Sequence, residues 1–164
     1  MAILKTANAK GKYYDEDARY DVVNYILYSD QAIRYCGCYG VNLIDIAESM
    51  DLVAAQYGKN SGVKLRHFII SFSPFEKVSP EKANEIGKVA ASYFGREYQV
   101  VYSVHESADN LHIHIVINSV SYIDGHRYGG TKKEFYGFIN YMERALQQFG
   151  IHSLRYVSDR SKTI

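Results

Sequence analysis

Apolar residues recur at helical spacing in two segments of the first third of the chain, residues 17–30 and 43–58. The first segment can begin a helix at Asp17 or Asp21, because either carboxylate can cap the exposed N–H groups of a first turn. The second segment ends at Gly58, a residue type that commonly closes helices. The pattern therefore predicts two helices before residue 60.

Two further helices are predicted in the second half of the chain. The stronger prediction is "SPEKANEIGKVAASYFG", because Ser79 can cap it, Pro80 occupies the first helical position and Gly95 closes it. The other is "KKEFYGFINYMERALQQFG", an amphipathic pattern over residues 132–150.

The remaining apolar segments favour strands, because they are rich in β-forming residues or alternate between apolar and polar positions. They are "MAILKTA", "VKLRHFIISFS", "EYQVVYSVHE", "LHIHIVINSVSY" and the short "LRYVS". "SADN" separates the third and fourth of these segments and suits a turn, so the two strands are expected to pair antiparallel. Three other segments are expected to be loops or turns: "NAKGKYYDEDARY", "RYCGCYGVN" and "IDGHRYGG".

The principal elements follow the order β-α-α-β-α-β-β-α, which predicts an α+β fold with an antiparallel or mixed β-sheet flanked by helices. The chain has 164 residues, 47% of them hydrophobic, and only two prolines, which is typical of one ordered domain over residues 1–164. The net charge of +1 argues against nucleic-acid binding through bulk positive charge, although it leaves room for a local basic groove. The sixteen tyrosines are compatible with base stacking and with ordinary packing.

The two cysteines and the N-terminal segment bear on where the protein works. Cys36 and Cys38 match neither a redox pair nor a zinc pattern and suggest thiols in a reducing cytosol. "MAILKTANAK" lacks the apolar stretch of a secretory signal, and no segment approaches the roughly 20 apolar residues of a membrane span. We therefore expect a cytoplasmic protein without a membrane partner.

Three of the six histidines are concentrated in "HESADNLHIHIVIN". Side chains alternate between the faces of a strand, so His112, His114 and Asn118 share one face while the aliphatic residues between them share the other. A hairpin through "SADN" places His105 beside His112. Three neutral imidazoles leave coordination positions open for water or substrate, as a Lewis-acid metal site requires, so this spacing predicts a metal site.

"VHESADNLHIHIVINSV" resembles the third motif of the HUH endonucleases, and most closely that of the relaxase (mobilisation nuclease) family of the MobP-like type. The similarity continues upstream through "RHFIISFSPFEKVSPEKANEIGKVAASYF" and downstream through "NSVSYIDGHRY", so it covers most of residues 20–150. The resemblance implies an HUH relaxase-like fold, which is a permuted ferredoxin/RRM-like sandwich. It also implies that this nicking domain is the N-terminal part of a longer protein.

The resemblance implies that the protein nicks one DNA strand at an origin of transfer and starts conjugative transfer or mobilisation. In such enzymes a tyrosine hydroxyl attacks a phosphodiester and forms a 5′-phosphotyrosyl intermediate. It further implies a divalent metal ion, Mg²⁺ or Mn²⁺, held by His105, His112 and His114. The implied partners are single-stranded and duplex DNA, with accessory relaxosome and coupling proteins.

The resemblance also suggests a nucleophile early in the chain, in "VVNYILYSD". Tyr25 matches the family motif best, and Tyr28 is the next candidate on nearly the same helical face. A phenol with a pKa of about 10 is a poor nucleophile at neutral pH and needs an ion or a base nearby.

One position departs from the family pattern. The family often has an acidic residue two positions after the first histidine, where this chain has Ser107. Asp109 is the candidate that replaces the acid in a catalytic role, and it is equally expected as a simple turn residue. Glu106 is the other candidate, although it is expected to point to the opposite face.

Candidate DNA contacts are less specific. His67 is expected in the core or at the DNA, and Asn118 is expected to bind substrate, to orient a ligand or to form a strand-end turn. The candidate phosphate contacts are Lys59, Lys64, Arg66, Arg127, Lys132 and Lys133, each of which is also an ordinary surface residue type.

Two alternatives to a relaxase remain open. Rolling-circle replication initiators and single-strand transposases of the same superfamily carry their tyrosine on a C-terminal helix, where this chain offers Tyr136 and Tyr141. A metal-stabilised DNA-binding module without cleavage is the non-enzymatic alternative.

Overall fold

A single six-stranded sheet with four helices forms the protein in the computed structural model, which describes residues 1–7 and 13–157. The strands are β1 (Ala2–Ala7), β2 (Ala32–Tyr39), β3 (Leu65–Phe72), β4 (Val100–Glu106), β5 (Leu111–Asn118) and β6 (Leu154–Val157). The helices are α1 (Ala18–Tyr28), α2 (Ile46–Gln56), α3 (Pro80–Gly95) and α4 (Lys132–Gln148), with a short 3₁₀ turn at Pro74–Glu76. The predicted loop at residues 8–12 and the polar tail after residue 157 lie outside the described residues.

The strand order is β2-β4-β5-β3-β1-β6. All neighbouring strands are antiparallel except β1 and β6, which are parallel. This mixed sheet flanked by helices confirms the predicted α+β class and is consistent with the HUH relaxase-like fold. The hairpin of β4 and β5 lies inside the sheet, with β2 paired to β4 and β3 paired to β5.

The strand β2 corrects one prediction, because the sequence pattern indicated a glycine-rich turn at "RYCGCYGVN". The segment instead pairs with β4 at the edge of the sheet. Its glycine serves a close approach rather than a turn: a Cβ at Gly37 would lie 2.7 Å from Cε1 of Tyr102. Ile33 and Tyr35 pack against the core, which supplies the apolar contacts that hold this edge strand in place.

The helices divide between the two faces of the sheet. The larger core packs α3 and α4 against one face, with Phe68, Ile113 and Phe138 among its buried residues. A smaller cluster packs α1 and α2 against the other face, with Ile26 and Val116 among its members. Consecutive strand residues alternate between these two clusters, as the period of two requires.

The start signals of the two helices on the larger core agree with the sequence. Ser79 caps α3 by accepting a hydrogen bond from the backbone N–H of Lys82. Thr131 and Glu134 form a capping box at the start of α4. None of the helices in the described ranges is long and apolar enough to cross a membrane.

Candidate metal centre and nucleophile

The β4–β5 hairpin brings three histidine rings together on the face that α1 and α2 cover. His105 and His112 are directly paired across the two strands, and His114 follows two residues later. The ring centroids are 5.5 Å apart for His105 and His112, 4.2 Å for His105 and His114, and 5.0 Å for His112 and His114. One nitrogen from each ring lies within 4.8 Å of the other two, so the cluster can hold a metal ion.

The outer nitrogens of His105 and His112 are held by oxygen acceptors. His105 Nε2 donates to the backbone carbonyl of Ile26 in α1 over 2.7 Å. His112 Nδ1 donates to the side-chain oxygen of Asn110 over 3.1 Å. A ring nitrogen that donates leaves the other with its lone pair, so these bonds select the tautomers in which His105 Nδ1 and His112 Nε2 can be ligands.

The third histidine is oriented by a chain of two further side chains. His67 Nε2 and His114 Nδ1 are 2.7 Å apart, and His67 Nδ1 is 3.0 Å from the hydroxyl of Tyr13. His114 acts as a ligand through Nε2 when its Nδ1–H donates to His67. His67 is buried on β3, so of the two roles expected for it the structure supports the core role.

The chemistry of the cluster fits a divalent cation. His105 Nδ1 is buried and has no hydrogen-bond partner among the residues that the structure describes. Burial lowers the pKa of His105, against an opposing effect of the Ile26 bond. Burial also lowers the pKa of His112, with smaller contributions from the charges of His105 and Lys5. Lowered pKa values favour the neutral imidazoles that metal binding requires.

Tyr25 is the tyrosine of α1 that contacts the histidines. Its ring centroid is 5.7 Å from that of His105 and 5.6 Å from that of His114, and the side chain is 42% exposed. Tyr28 is 74% exposed and lies with Tyr20 and Ile44 along a groove on a neighbouring face of α1. The structure thus brings Tyr25, and not Tyr28, to the cluster.

The turn of the hairpin does not bring Asp109 to the histidines. Asp109 is exposed, and it makes no hydrogen bond or ion pair within the described part of the chain. The turn instead acts through Asn110, because Ser107 donates to its carbonyl oxygen and Asn110 in turn holds His112. Glu106 is exposed at the end of β4. His105, the first histidine, is oriented by the backbone carbonyl of Ile26, so its orientation does not require an acidic residue.

Asn118, which was expected to bind substrate, to orient a ligand or to form a strand-end turn, is fully buried at the end of β5. Its amide oxygen accepts from Nε and Nη2 of Arg19, and its amide nitrogen donates to Gln99 and to the backbone of Met50. Arg19 also forms an ion pair with Asp51. This network joins α1 and α2 to the sheet, and no local sequence pattern marks Arg19 as its centre.

The basic residues expected at the DNA are not gathered at the histidines. The guanidinium of Arg66 donates to the carbonyl of Gly129, and its strand position lies on the side of the sheet opposite to the histidines. Lys132 is exposed at the start of that helix. Phosphate contacts at these two positions would be far from the metal ligands.

Three of the other basic candidates are engaged or buried within the protein, and Lys133 is exposed beside Lys132. Arg127 donates to the carbonyls of Lys59 and Ser61 and thereby holds the loop before β3. Lys59 donates to the carbonyl of Gly125, and Lys64 is buried. A structural role accounts for the positions of Arg127 and Lys59, and burial removes Lys64 from a DNA-binding surface.

The tyrosines of the C-terminal helix lie across the sheet from the histidines. Tyr141 packs on Tyr93, and its hydroxyl is 3.4 Å from that of Ser92 in α3. Tyr136 is exposed on the same helix, α4. The sheet separates both side chains from the three histidines, which disfavours the replication-initiator and transposase alternative.

This chain is similar to known proteins over most of its length. Residues 25–151 match the family described as "Relaxase: MobA/VirD2-like, nuclease domain". The protein rlx of Staphylococcus aureus is 38% identical over 92 residues, which are 56% of this chain and 29% of that protein. The group II intron-interrupted relaxase LtrB of Lactococcus lactis subsp. cremoris is 37% identical over 71 residues, 43% of this chain and 13% of the relative. Protein TraI of Escherichia coli is 36% identical over 73 residues, 43% and 10% of the two chains. The matched segments span less than a third of each relative.

Proposed function

Because this chain belongs to the MobA/VirD2-like relaxase nuclease family, we propose that it nicks one DNA strand at an origin of transfer with Tyr25 as the nucleophile. The observation that carries the proposal is the contact of the Tyr25 ring with His105 and His114. A nucleophile must lie beside the groups that bind the reacting phosphate, and Tyr25 is the tyrosine of α1 that does so. Nicking at such a site would start conjugative transfer or mobilisation.

The proposed step is a transesterification. The phenol oxygen of Tyr25 forms a bond to the phosphorus, and the bond from phosphorus to the 3′ oxygen breaks. The phenol proton leaves to water, and the 3′ oxygen takes up a proton as it departs. The product is a 5′-phosphotyrosyl link and a free 3′-OH, and the bond energy kept in that link allows later rejoining.

His105, His112 and His114 would hold the metal ion of this site. A bound divalent cation polarises the phosphate oxygens and stabilises the negative charge that develops during attack. The protein contributes orientation, since Ile26, Asn110 and His67 each hold one ligand ring. An all-nitrogen donor set suits Mn²⁺ better than Mg²⁺, which prefers oxygen ligands.

The test compares tyrosine variants of the full chain on single-stranded oligonucleotides that tile the DNA flanking the coding sequence. With Mn²⁺, wild-type protein is expected to cleave one oligonucleotide and to form a covalent adduct that survives denaturing electrophoresis. EDTA and Tyr25→Phe are each expected to abolish the adduct. Tyr28→Phe is the matched control on the same helix and is expected to keep it.

The outcomes separate the alternatives. Loss of the adduct in Tyr141→Phe or Tyr136→Phe, with retention in Tyr25→Phe, would overturn the nucleophile assignment in favour of the replication-initiator alternative. Metal binding and oligonucleotide binding by the wild type without any cleavage would leave the DNA-binding module as the function.

A further inference from the structure

Lys5 lies on the same face of the sheet as the histidines. It is paired with Ile69 on β3, and Ile69 is paired with His114 on β5. Directly paired residues of neighbouring strands project to the same side, so these three side chains form one row. Two inter-strand spacings of about 4.8 Å separate the backbones of β1 and β5, a distance that a flexible lysine side chain largely spans.

The ammonium group of Lys5 is available to a ligand. The residue is exposed, and its side chain makes no hydrogen bond or ion pair with any residue in the described ranges. Its position in one row with Ile69 and His114 brings the ammonium group towards a ligand held at the histidines. No carboxylate of the described residues is paired with it.

The charges around the three histidines and Lys5 favour binding of an anion. The ligand cluster consists of three histidines, and no Asp or Glu of the described residues belongs to it. Neutral imidazoles do not compensate a divalent cation, and Lys5 adds a further positive charge beside them. An electropositive site of this kind attracts an anionic phosphodiester more strongly than it attracts a neutral ligand.

We propose that Lys5 binds the phosphate of the DNA strand at the metal site and contacts the substrate there. The inference rests on the proposed function and extends it to a residue of the first strand. It differs from the basic residues singled out in the sequence, because Arg66 and Lys132 lie on the other side of the sheet and Arg127 is engaged with backbone carbonyls.

The test uses Lys5→Met, Lys5→Arg and, as control, Lys88→Met, which removes an exposed lysine from α3 on the opposite face. The first measurement is calorimetric Mn²⁺ binding, which is expected to stay within about threefold of wild type because Lys5 is not a ligand. The second is anisotropy of a labelled random-sequence single strand with Mn²⁺-loaded protein. Lys5→Met is expected to weaken binding roughly threefold to tenfold and to reduce the salt slope by about 0.7, while Lys5→Arg keeps both.

The third measurement is the single-turnover rate on the oligonucleotide that the wild type cleaves. Lys5→Met is expected to lower this rate roughly tenfold to a hundredfold, by the loss of charge opposite the developing phosphate anion. Equal effects of Lys5→Met and Lys88→Met, or none from Lys5→Met, would overturn the inference while leaving nicking intact. A binding loss confined to Lys5→Met in a protein that nicks nothing would overturn the proposed function and keep the phosphate site.

Discussion

Nη2 of Arg19 donates a hydrogen bond to the amide oxygen of Asn118 over 3.0 Å, and Nε of Arg19 donates to the same oxygen over 3.2 Å. Arg19 is 2% exposed and belongs to α1, while Asn118 is the last residue of β5. The helix that carries Tyr25 is therefore anchored to the strand that carries His112 and His114. This contact fixes the position of Tyr25 relative to the histidines.

Arg19→Met is expected to lower the free energy of unfolding by about 1–3 kcal/mol, because the buried amide oxygen of Asn118 loses its two bonds from Arg19 and keeps only the longer one from the backbone N–H of Val120. Methionine keeps most of the side-chain volume, so the loss reports the hydrogen bonds more than the packing. Urea unfolding measures the change, with Arg144→Met on the exposed surface of α4 as control. A variant as stable as wild type would show that the network does not hold α1.

His67→Phe is expected to weaken Mn²⁺ binding about tenfold to a hundredfold, since His114 loses the acceptor that orients its ring. Phenylalanine fills the space of the imidazole, so we expect the free energy of unfolding to change less than the free energy of Mn²⁺ binding. Calorimetric titration with Mn²⁺ measures the effect, and His152→Gln at an exposed position is the control. Unchanged affinity in His67→Phe would mean that His114 keeps its orientation without this bond.

Gly87→Ala tests the close approach of α3 to the ring of Tyr102. A Cβ at Gly87 would lie 2.6 Å from Cδ2 of Tyr102, closer than two carbons can come. Alanine has a higher helix propensity than glycine, which gains about 1 kcal/mol, while the steric clash costs about 1–3 kcal/mol. We expect the clash to outweigh the gain, so the variant should be less stable than wild type.

The matched background for this variant is Tyr102→Val, in which the clashing ring is absent. There Gly87→Ala is expected to stabilise the protein, because only the helix-propensity gain remains. Urea unfolding of the four proteins gives the coupling between the two sites. Equal effects of Gly87→Ala in both backgrounds would contradict the close contact.

Because Tyr102 is buried, we also expect the protein to lose stability at alkaline pH. Burial raises its pKa to about 12 in the folded state, whereas a tyrosine of the unfolded chain has a pKa of about 10. The contribution of Tyr102 to the free energy of unfolding is thus fully present below a pH of about 10 and is lost as the pH rises towards about 12. The reason is that the tyrosine releases its proton at a lower pH in the unfolded chain than in the folded protein. Urea unfolding across this range should show a smaller decline for Tyr102→Phe than for wild type, and parallel declines would contradict the assignment.

The sequence by itself determined the histidine cluster, because its geometry depends on local rules. A short turn and the alternation of side chains along two strands are sufficient to bring His105, His112 and His114 together. The helices α3 and α4 were equally predictable, since their caps lie within three residues of their first turns. The family resemblance added Tyr25, and the structure then brought that residue to the histidines.

The tertiary structure alone decided what surrounds these histidines, because those contacts join residues far apart in the chain. The carbonyl of Ile26 lies 79 positions from His105, and His67 lies 47 positions from His114. Neither pairing leaves a local pattern, and a backbone carbonyl has no sequence signal at all. The strand β2 and the burial of Asn118 were missed for the same reason, since contacts with Tyr102 and Arg19 outweigh the local preferences of glycine and asparagine. Sheet registry, which depends on how β1, β3 and β5 assemble, placed Lys5 beside the histidines and Arg66 on the opposite side.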